Sequence, residues 1–165
     1  MLRKGDAEAF YALRQEALLA SPLSFASSPD DDVAANADSV RVQLEQAPES
    51  VVFGAFEDRL VGSVGLYRDR HLKASHKAHL WGMYVTPELR RRSIGAELLR
   101  AAVAHAESMR GVDWVHLGVS VTAPGAQRLY ESAGFRSWGT EADALRHAGR
   151  SAAEVYMALR LGGGG

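Results

Sequence analysis

Apolar residues repeat at helical spacing in four stretches of the chain and cluster in six short β-rich runs between them. Within DAEAFYALRQEALLA, residues Phe10, Leu13, Ala17 and Leu18 share one helix face, with Asp6 as its cap and Pro22 as its end. Residues 31–46 predict a second helix with Val33, Ala37, Val40 and Leu44 on one face, stopped by Pro48. SVVFGAF and RLVGSVGLY, separated by the polar EDR, predict a hairpin. HLWGMYV predicts the next strand, and Gly82 inside it marks a bulge or a close backbone approach. A helix from about Ile94 to Arg110 follows, with Ile94, Leu98, Ala102, Ala106 and Met109 on its buried face and Gly111 as its stop.

VDWVHLGVSV then predicts a strand, and TAPGAQRLYESAG a short helix that Pro124 starts and Gly134 ends. FRSWG and EVYMALRL predict the last two strands, the second half-buried through Val155, Met157, Leu159 and Leu161. The order is helix, helix, hairpin, strand, helix, strand, helix, strand, strand. That is a mixed α/β domain around one sheet, spanning residues 1–161. Residues 162–165 form a flexible glycine tail, and Met1 to Arg3 supply only a stub of any strand before the first helix.

Composition narrows the chemistry. The 165 residues suit one domain, and 47% hydrophobic with 24% charged residues suits a packed core. The net charge of −1 gives no global basic field for nucleic acid. There is no cysteine, hence no disulfide, thiolate metal site or cysteine nucleophile. The N-terminus lacks the apolar core of a signal peptide, and no apolar run approaches ~18 residues, so no membrane association and a cytoplasmic location are expected.

Against that neutral background, Arg90, Arg91 and Arg92 run straight into Ser93, Ile94 and Gly95 where a helix starts. The first amides of a helix have no internal partner, and the helix dipole adds positive charge there. Small residues let a ligand approach the backbone. These features describe a phosphate or pyrophosphate site; a solvated surface turn with Ser93 as N-cap is the plainer alternative. There is no GxxxxGK[ST], no GxGxxG after the first strand and no GxSxG. His76 and His79 point to opposite sides of a strand, so no metal site is expected.

Three segments in order, HLWGMYVTPELRRRSIGAELL, LGVSVTAPGAQRLYESAGF and EVYMALRL, resemble the Gcn5-related N-acetyltransferase (GNAT) family. The family's Arg/Gln-x-x-Gly-x-Gly/Ala signature reads Arg90-Arg91-Arg92-Ser93-Ile94-Gly95 here, and its Leu-Tyr-x-x-x-Gly-Phe ending reads Leu129 to Phe135. The resemblance implies a mostly antiparallel central sheet with helices on both faces, strands splayed at the cofactor site, and a first strand that is short or missing. It implies an N-acetyltransferase that moves an acetyl group from acetyl-CoA, its co-substrate, to a primary amine of a small molecule or peptide in a ternary complex. A silent acyl-CoA-binding sensor of the same fold is the alternative, and a homodimer is compatible with the family.

By resemblance, amides of Arg91, Arg92, Ser93, Ile94, Gly95 and Ala96 cradle the pyrophosphate, with Arg90 beside them. The backbone of Met83, Tyr84 and Val85 pairs with the pantetheine arm, and Ala123 and Ala126 line the start of the following helix. Ser93 stands in place of a family glycine, which strains the site if its φ is positive. Ala123 stands where many members carry asparagine. Tyr130 is the expected acid that protonates the departing thiolate, and His79 the candidate base. Phe25, Trp81 and Tyr84 are the candidate walls of the acceptor site.

Overall fold

Helix α1 (Ala7–Ala20) buries Phe10, Leu13, Ala17 and Leu18, the face its periodicity predicts. The computed structural model describes residues 1–162, so most of the expected glycine tail lies outside the described residues. Asp6 stands at the N-cap of α1 without a side-chain cap bond; its carboxylate accepts instead from the Arg3 amide at 2.8 Å. Helix α2 is only Ala37–Leu44, shorter than the 31–46 expected. The residues ahead of it are consumed by turns. Asp31 accepts from the amide and hydroxyl of Ser28, Asp32 from the Ala34 amide, and Asn36 caps the helix through the Ser39 amide at 2.9 Å. Short polar side chains that bond their own backbone compete with helix in this way. Val33, expected on the buried face, is 68% exposed.

Six strands follow: β1 (Ser50–Phe56), β2 (Leu60–Arg68), β3 (Lys77–Val85), β4 (Trp114–Ser120), β5 (Arg136–His147) and β6 (Arg150–Arg160). They form one sheet in the order β1-β2-β3-β4-β6-β5. Only β3 and β4 run parallel. Helix α3 (Ile94–Ser108) connects that pair, and α4 (Pro124–Ser132) follows β4. In place of a first strand, the Leu2 amide donates to Val52 O at 2.7 Å, and a single 3-10 turn, Lys4–Asp6, leads from that stub into α1.

β5 and β6 are longer than FRSWG and EVYMALRL. Their added arms, TEADALRH and RSAA, are mostly exposed and hold only one large apolar residue, Leu145, so no apolar alternation announced them. Ala148 (φ 47°) and Gly149 (φ 74°) close the hairpin, the pair of positive φ values that a tight two-residue hairpin turn needs.

Each face of the sheet has its own core. Val51, Val64, Leu66, Ala78, Leu80, Val115, Leu117 and Met157 pack with Leu98, Leu99, Ala102 and Ala106 of α3 and with Tyr130 of α4. On the other face Val52, Leu60 and Tyr84 pack with Phe10, Leu13 and Ala17 of α1 and with Val40 and Leu44 of α2. Among the described residues no helix is long and apolar enough to cross a membrane.

Candidate functional site

The parallel pair comes apart halfway along. β3 and β4 are in register at Lys77↔Trp114, Ala78↔Val115 and His79↔His116, and no further. β3 stays with β2 up to Val85, and β4 stays with β6 up to Ser120. A fork therefore opens above His79 and His116. Along it the edge of β3 that faces β4, from Leu80 to Val85, has no ladder partner.

A bulge shapes the β3 side of the fork. Ser63 pairs with Tyr84 and Gly65 with Trp81, so Gly82 and Met83 together stand opposite Val64. Gly82 has φ 62°, a conformation that costs glycine little. The extra residue shifts the alternation. Trp81 and Tyr84 both turn toward α1, while Met83 and Val85 turn toward the α3 core. Gly65 leaves room for the Trp81 ring: a Cβ there would lie 2.0 Å from Trp81 Cε2.

The basic turn lies between the fork and α3. Arg90 folds back, with Nε donating to Val85 O at 2.9 Å and its guanidinium 5.6 Å from the Tyr84 ring centre. Arg91, Arg92 and Ser93 are exposed. Arg91 (φ 66°) and Ser93 (φ 64°) are left-handed, which for a residue with a Cβ costs about 1–2 kcal/mol each. Ser93 makes no side-chain cap bond. Among the described residues no backbone hydrogen bond uses the amides of Arg91 through Ala96; the first amide of α3 with a partner is Glu97, on Ser93 O at 3.0 Å. Alternating left- and right-handed residues gather such amides into an anion-binding concavity. Gly95 sits at the crossing of α3 and α4, where a Cβ would lie 3.3 Å from Leu129 Cδ2.

Helix α4 starts where β4 ends, with Ala123 at its N-cap and Pro124 in its first turn. Ala123 and Ala126 pack partly buried against the α3 core. Tyr130 is 5% exposed and meets Phe135 edge to face at 5.8 Å. Burial pushes its phenol well above the ordinary tyrosine value, so the hydroxyl keeps its proton at working pH.

The opposite face of the fork holds the remaining candidates. His79 stacks on Tyr67 (5.0 Å, 17°), with Nε2 3.5 Å from Asp69 Oδ2. Burial lowers its pKa, and Asp69 works against that. Trp81 and Phe25 flank the Arg14 guanidinium, at 5.6 and 4.9 Å from its carbon. Tyr84 gives its hydroxyl to Glu16 at 3.1 Å; burial first, then the Glu16 charge, pushes its pKa up to about 12. The Phe25 loop is tied to the β4–α4 junction through Thr122 Oγ1, which donates to Leu23 O at 3.3 Å. An open cavity of about 1000 Å³, lined by Trp81, Tyr67, Asp69, Val42, Gln46 and Leu72 among others, runs from Trp81 toward α2.

Met83–Val85 thus lie along the unpaired β3 edge and lead into the Arg90–Ala96 turn, with Trp81 and His79 on the other face of β3, while Tyr130 is packed in the core on the α3 side. The buried Arg14–Asp32 pair carried no local sequence signal, since its members stand 18 residues apart. His116, 5.8 Å from His79 between ring centres, was hidden in an ordinary strand pattern.

The model of the Acetyltransferase (GNAT) family matches residues 10–135. No curated protein sequence matches the chain. Among solved structures, an acetyltransferase of the GNAT family from Streptococcus pneumoniae superposes with TM-score 0.84 at 19% identity, over 97% of this chain and 96% of that one. A GCN5-related N-acetyltransferase from Kribbella flavida gives 0.81 at 22% identity, over 97% and 95%. YncA from Salmonella typhimurium, solved with its cofactor acetyl-CoA, gives 0.83 at 17% identity, over 99% and 93%.

Proposed function

Because the chain belongs to the GNAT acetyltransferase family, we propose that it transfers the acetyl group of acetyl-CoA to a primary amine of a small molecule or peptide, by direct attack in a ternary complex. The observation that carries this reading is the forked β3–β4 pair, with a turn of partnerless amides and exposed arginines at its mouth. The amides of Arg91 to Ala96 suit the pyrophosphate of acetyl-CoA, and the charges of Arg91 and Arg92 suit its anionic end. The bare edge of Met83, Tyr84 and Val85 suits an extended amide-bearing arm, which adds to it as a strand would. An amide on that edge would steady the developing oxyanion.

With no cysteine to carry an acyl intermediate, the amine attacks the thioester directly. The two faces of the fork divide the proton transfers. Tyr130, on the α3 side, donates to sulfur as the carbon–sulfur bond breaks. The amine enters from the α1 side, past Trp81 and the Phe25 loop.

Acetyl-CoA at a hundredfold excess over its Kd should raise the unfolding free energy by about 2.7 kcal/mol, a melting shift of about 5–10 °C for a chain of this size. Arg92→Glu should leave the melting point of the free protein unchanged, since exposed Arg92 joins no ion pair among the described residues. It should shrink the acetyl-CoA shift most at low salt. A melting scan with no acetyl-CoA shift in the wild type would remove the cofactor from this site.

A further inference from the structure

Resting on the acyl transfer proposed above, we propose that Glu154 of β6 is the catalytic residue that takes the proton from the attacking amine, and that the acceptor arrives as an ammonium ion. On the α1 face, β4 presents His116, Gly118 and Ser120, and β6 presents Ala158, Tyr156 and Glu154 opposite them. His116 is the last residue of β4 still paired with β3. Gly118 is therefore the first position on this face beyond the fork, and it has no side chain. The Glu154 carboxylate fills that space from the neighbouring strand: a Cβ on Gly118 would lie 2.6 Å from Glu154 Oε1 and 2.7 Å from Cδ. The carboxylate thus overhangs the β4 lip of the opening. His79 sits one step lower, where the strands are still paired, held between the Tyr67 ring and Asp69.

The surroundings of Glu154 suit the task. Tyr156 donates its hydroxyl to Glu141 across the β5–β6 pair. Trp138, turned out of the ladder at a bulge between Ser137 and Gly139, stacks on Tyr156 (5.4 Å, 24°). Two carboxylates beside two aromatic faces attract an ammonium ion and repel an anionic acceptor. Burial lifts the Glu154 carboxyl above its ordinary value; Tyr156 opposes the lift and the Glu141 charge adds to it. A carboxylate lifted in this way is a stronger base.

The step balances. Glu154 takes one proton from the ammonium and passes it to solvent. The freed nitrogen lone pair then attacks the thioester carbon and forms the carbon–nitrogen bond. The carbon–sulfur bond breaks, Tyr130 protonates the leaving sulfur from the opposite face, and Glu154 takes the second nitrogen proton. That proton returns through solvent to the Tyr130 phenolate. One proton is released per amide formed.

The test uses the full chain with acetyl-CoA and a panel of butylamine, putrescine, benzylamine, alaninamide and a short lysyl peptide, read as free thiol. Glu154→Gln should lower turnover by about 10²-fold on the best amine, with acetyl-CoA affinity unchanged by calorimetry. Gly118→Ala should also lower it, by pushing the carboxylate off the lip while every reacting group is retained. The double variant should be little worse than Glu154→Gln alone, because both changes act on one group. Wild-type turnover should fall as the pH drops through the raised Glu154 value, and Glu154→Gln should lose that limb. Of the groups facing Glu154, Glu141 on β5 and Tyr156 on β6 titrate, whereas Gly118 and Ser120 on β4 do not. If Glu154→Gln turns over within about twofold of wild type, Glu154 is not the base, and an intact acetyl-CoA melting shift leaves acyl transfer standing. If the wild type releases no thiol with any amine, both proposals fall together.

Discussion

Asp32→Ala should cost the fold about 3–5 kcal/mol, the loss expected when one partner of a buried ion pair is removed. The Arg14 side chain is 7% exposed and that of Asp32 0%. Arg14 Nη2 meets Asp32 Oδ2 at 2.7 Å, and Nε lies 3.2 Å from both carboxylate oxygens. Without Asp32 the guanidinium stays between Phe25 and Trp81 with no counter-charge, and its Nη1 already has no hydrogen-bond partner. The Ala34 amide, which donates to Asp32 at 2.9 Å, is orphaned as well. Chemical denaturation of the two proteins side by side measures the difference, and a loss under about 1 kcal/mol would mean that water reaches the pair. Arg14→Met with Asp32→Leu should recover most of the loss, since a well-packed apolar pair is often as stable as the ionic one.

The same pair sets an acid limit. Burial pushes the Asp32 carboxyl up, but the hydrogen bonds and charge of Arg14, together with hydrogen bonds from the Ala34 amide and Ser27, outweigh it and hold the pKa below its ordinary value. A depressed folded value means that the contribution is full above the unfolded value near ~3.9, and is lost as the pH falls through the folded one. The pair also touches the site, because Arg14 Nη1 lies 3.4 Å from where a Cβ on Gly82 would stand, at the bulge of β3.

Tyr130→Phe should lower turnover by about 10²-fold while acetyl-CoA binds as before. The ring supports the α3 core and keeps its edge-to-face contact with Phe135, so phenylalanine preserves the packing. What is lost is the hydroxyl, a proton donor that burial keeps neutral. An acyl donor whose thiol is more acidic needs less protonation on leaving, so it should suffer less from the change. Turnover and cofactor affinity of the two proteins, measured in parallel, decide the role. Full activity in the variant would leave Tyr130 as a packing residue.

The elements around the fork were legible because each carries a strong local signal. Helical spacing in α1 and α3, Pro124 and Gly134 around α4, and Gly82 within β3 all act over a few residues. Features that depend on distant partners were not legible. The 31–36 stretch has a helical apolar pattern, but its polar residues bond Ser28, Arg14, Ala34 and Ser39 instead. The outer arms of β5 and β6 pair through their backbones and hold only one large apolar residue, Leu145, so they lack the alternation that marks a half-buried strand. Gly118 and Glu154 each look ordinary, and only the β4–β6 register lays one over the other. Ser93 left its φ undecided in the sequence; the turn holds it left-handed at 64°.

Free thiol released from acetyl-CoA with and without the amine panel reads amine-dependent acetyl transfer itself. Acyl transfer predicts thiol release that rises with amine concentration, saturates, and matches the acetylated amine one for one by mass spectrometry. A chain that binds acetyl-CoA, shows the melting shift, and releases no thiol above the amine-free rate would contradict it, and would make the protein a silent acyl-CoA binder.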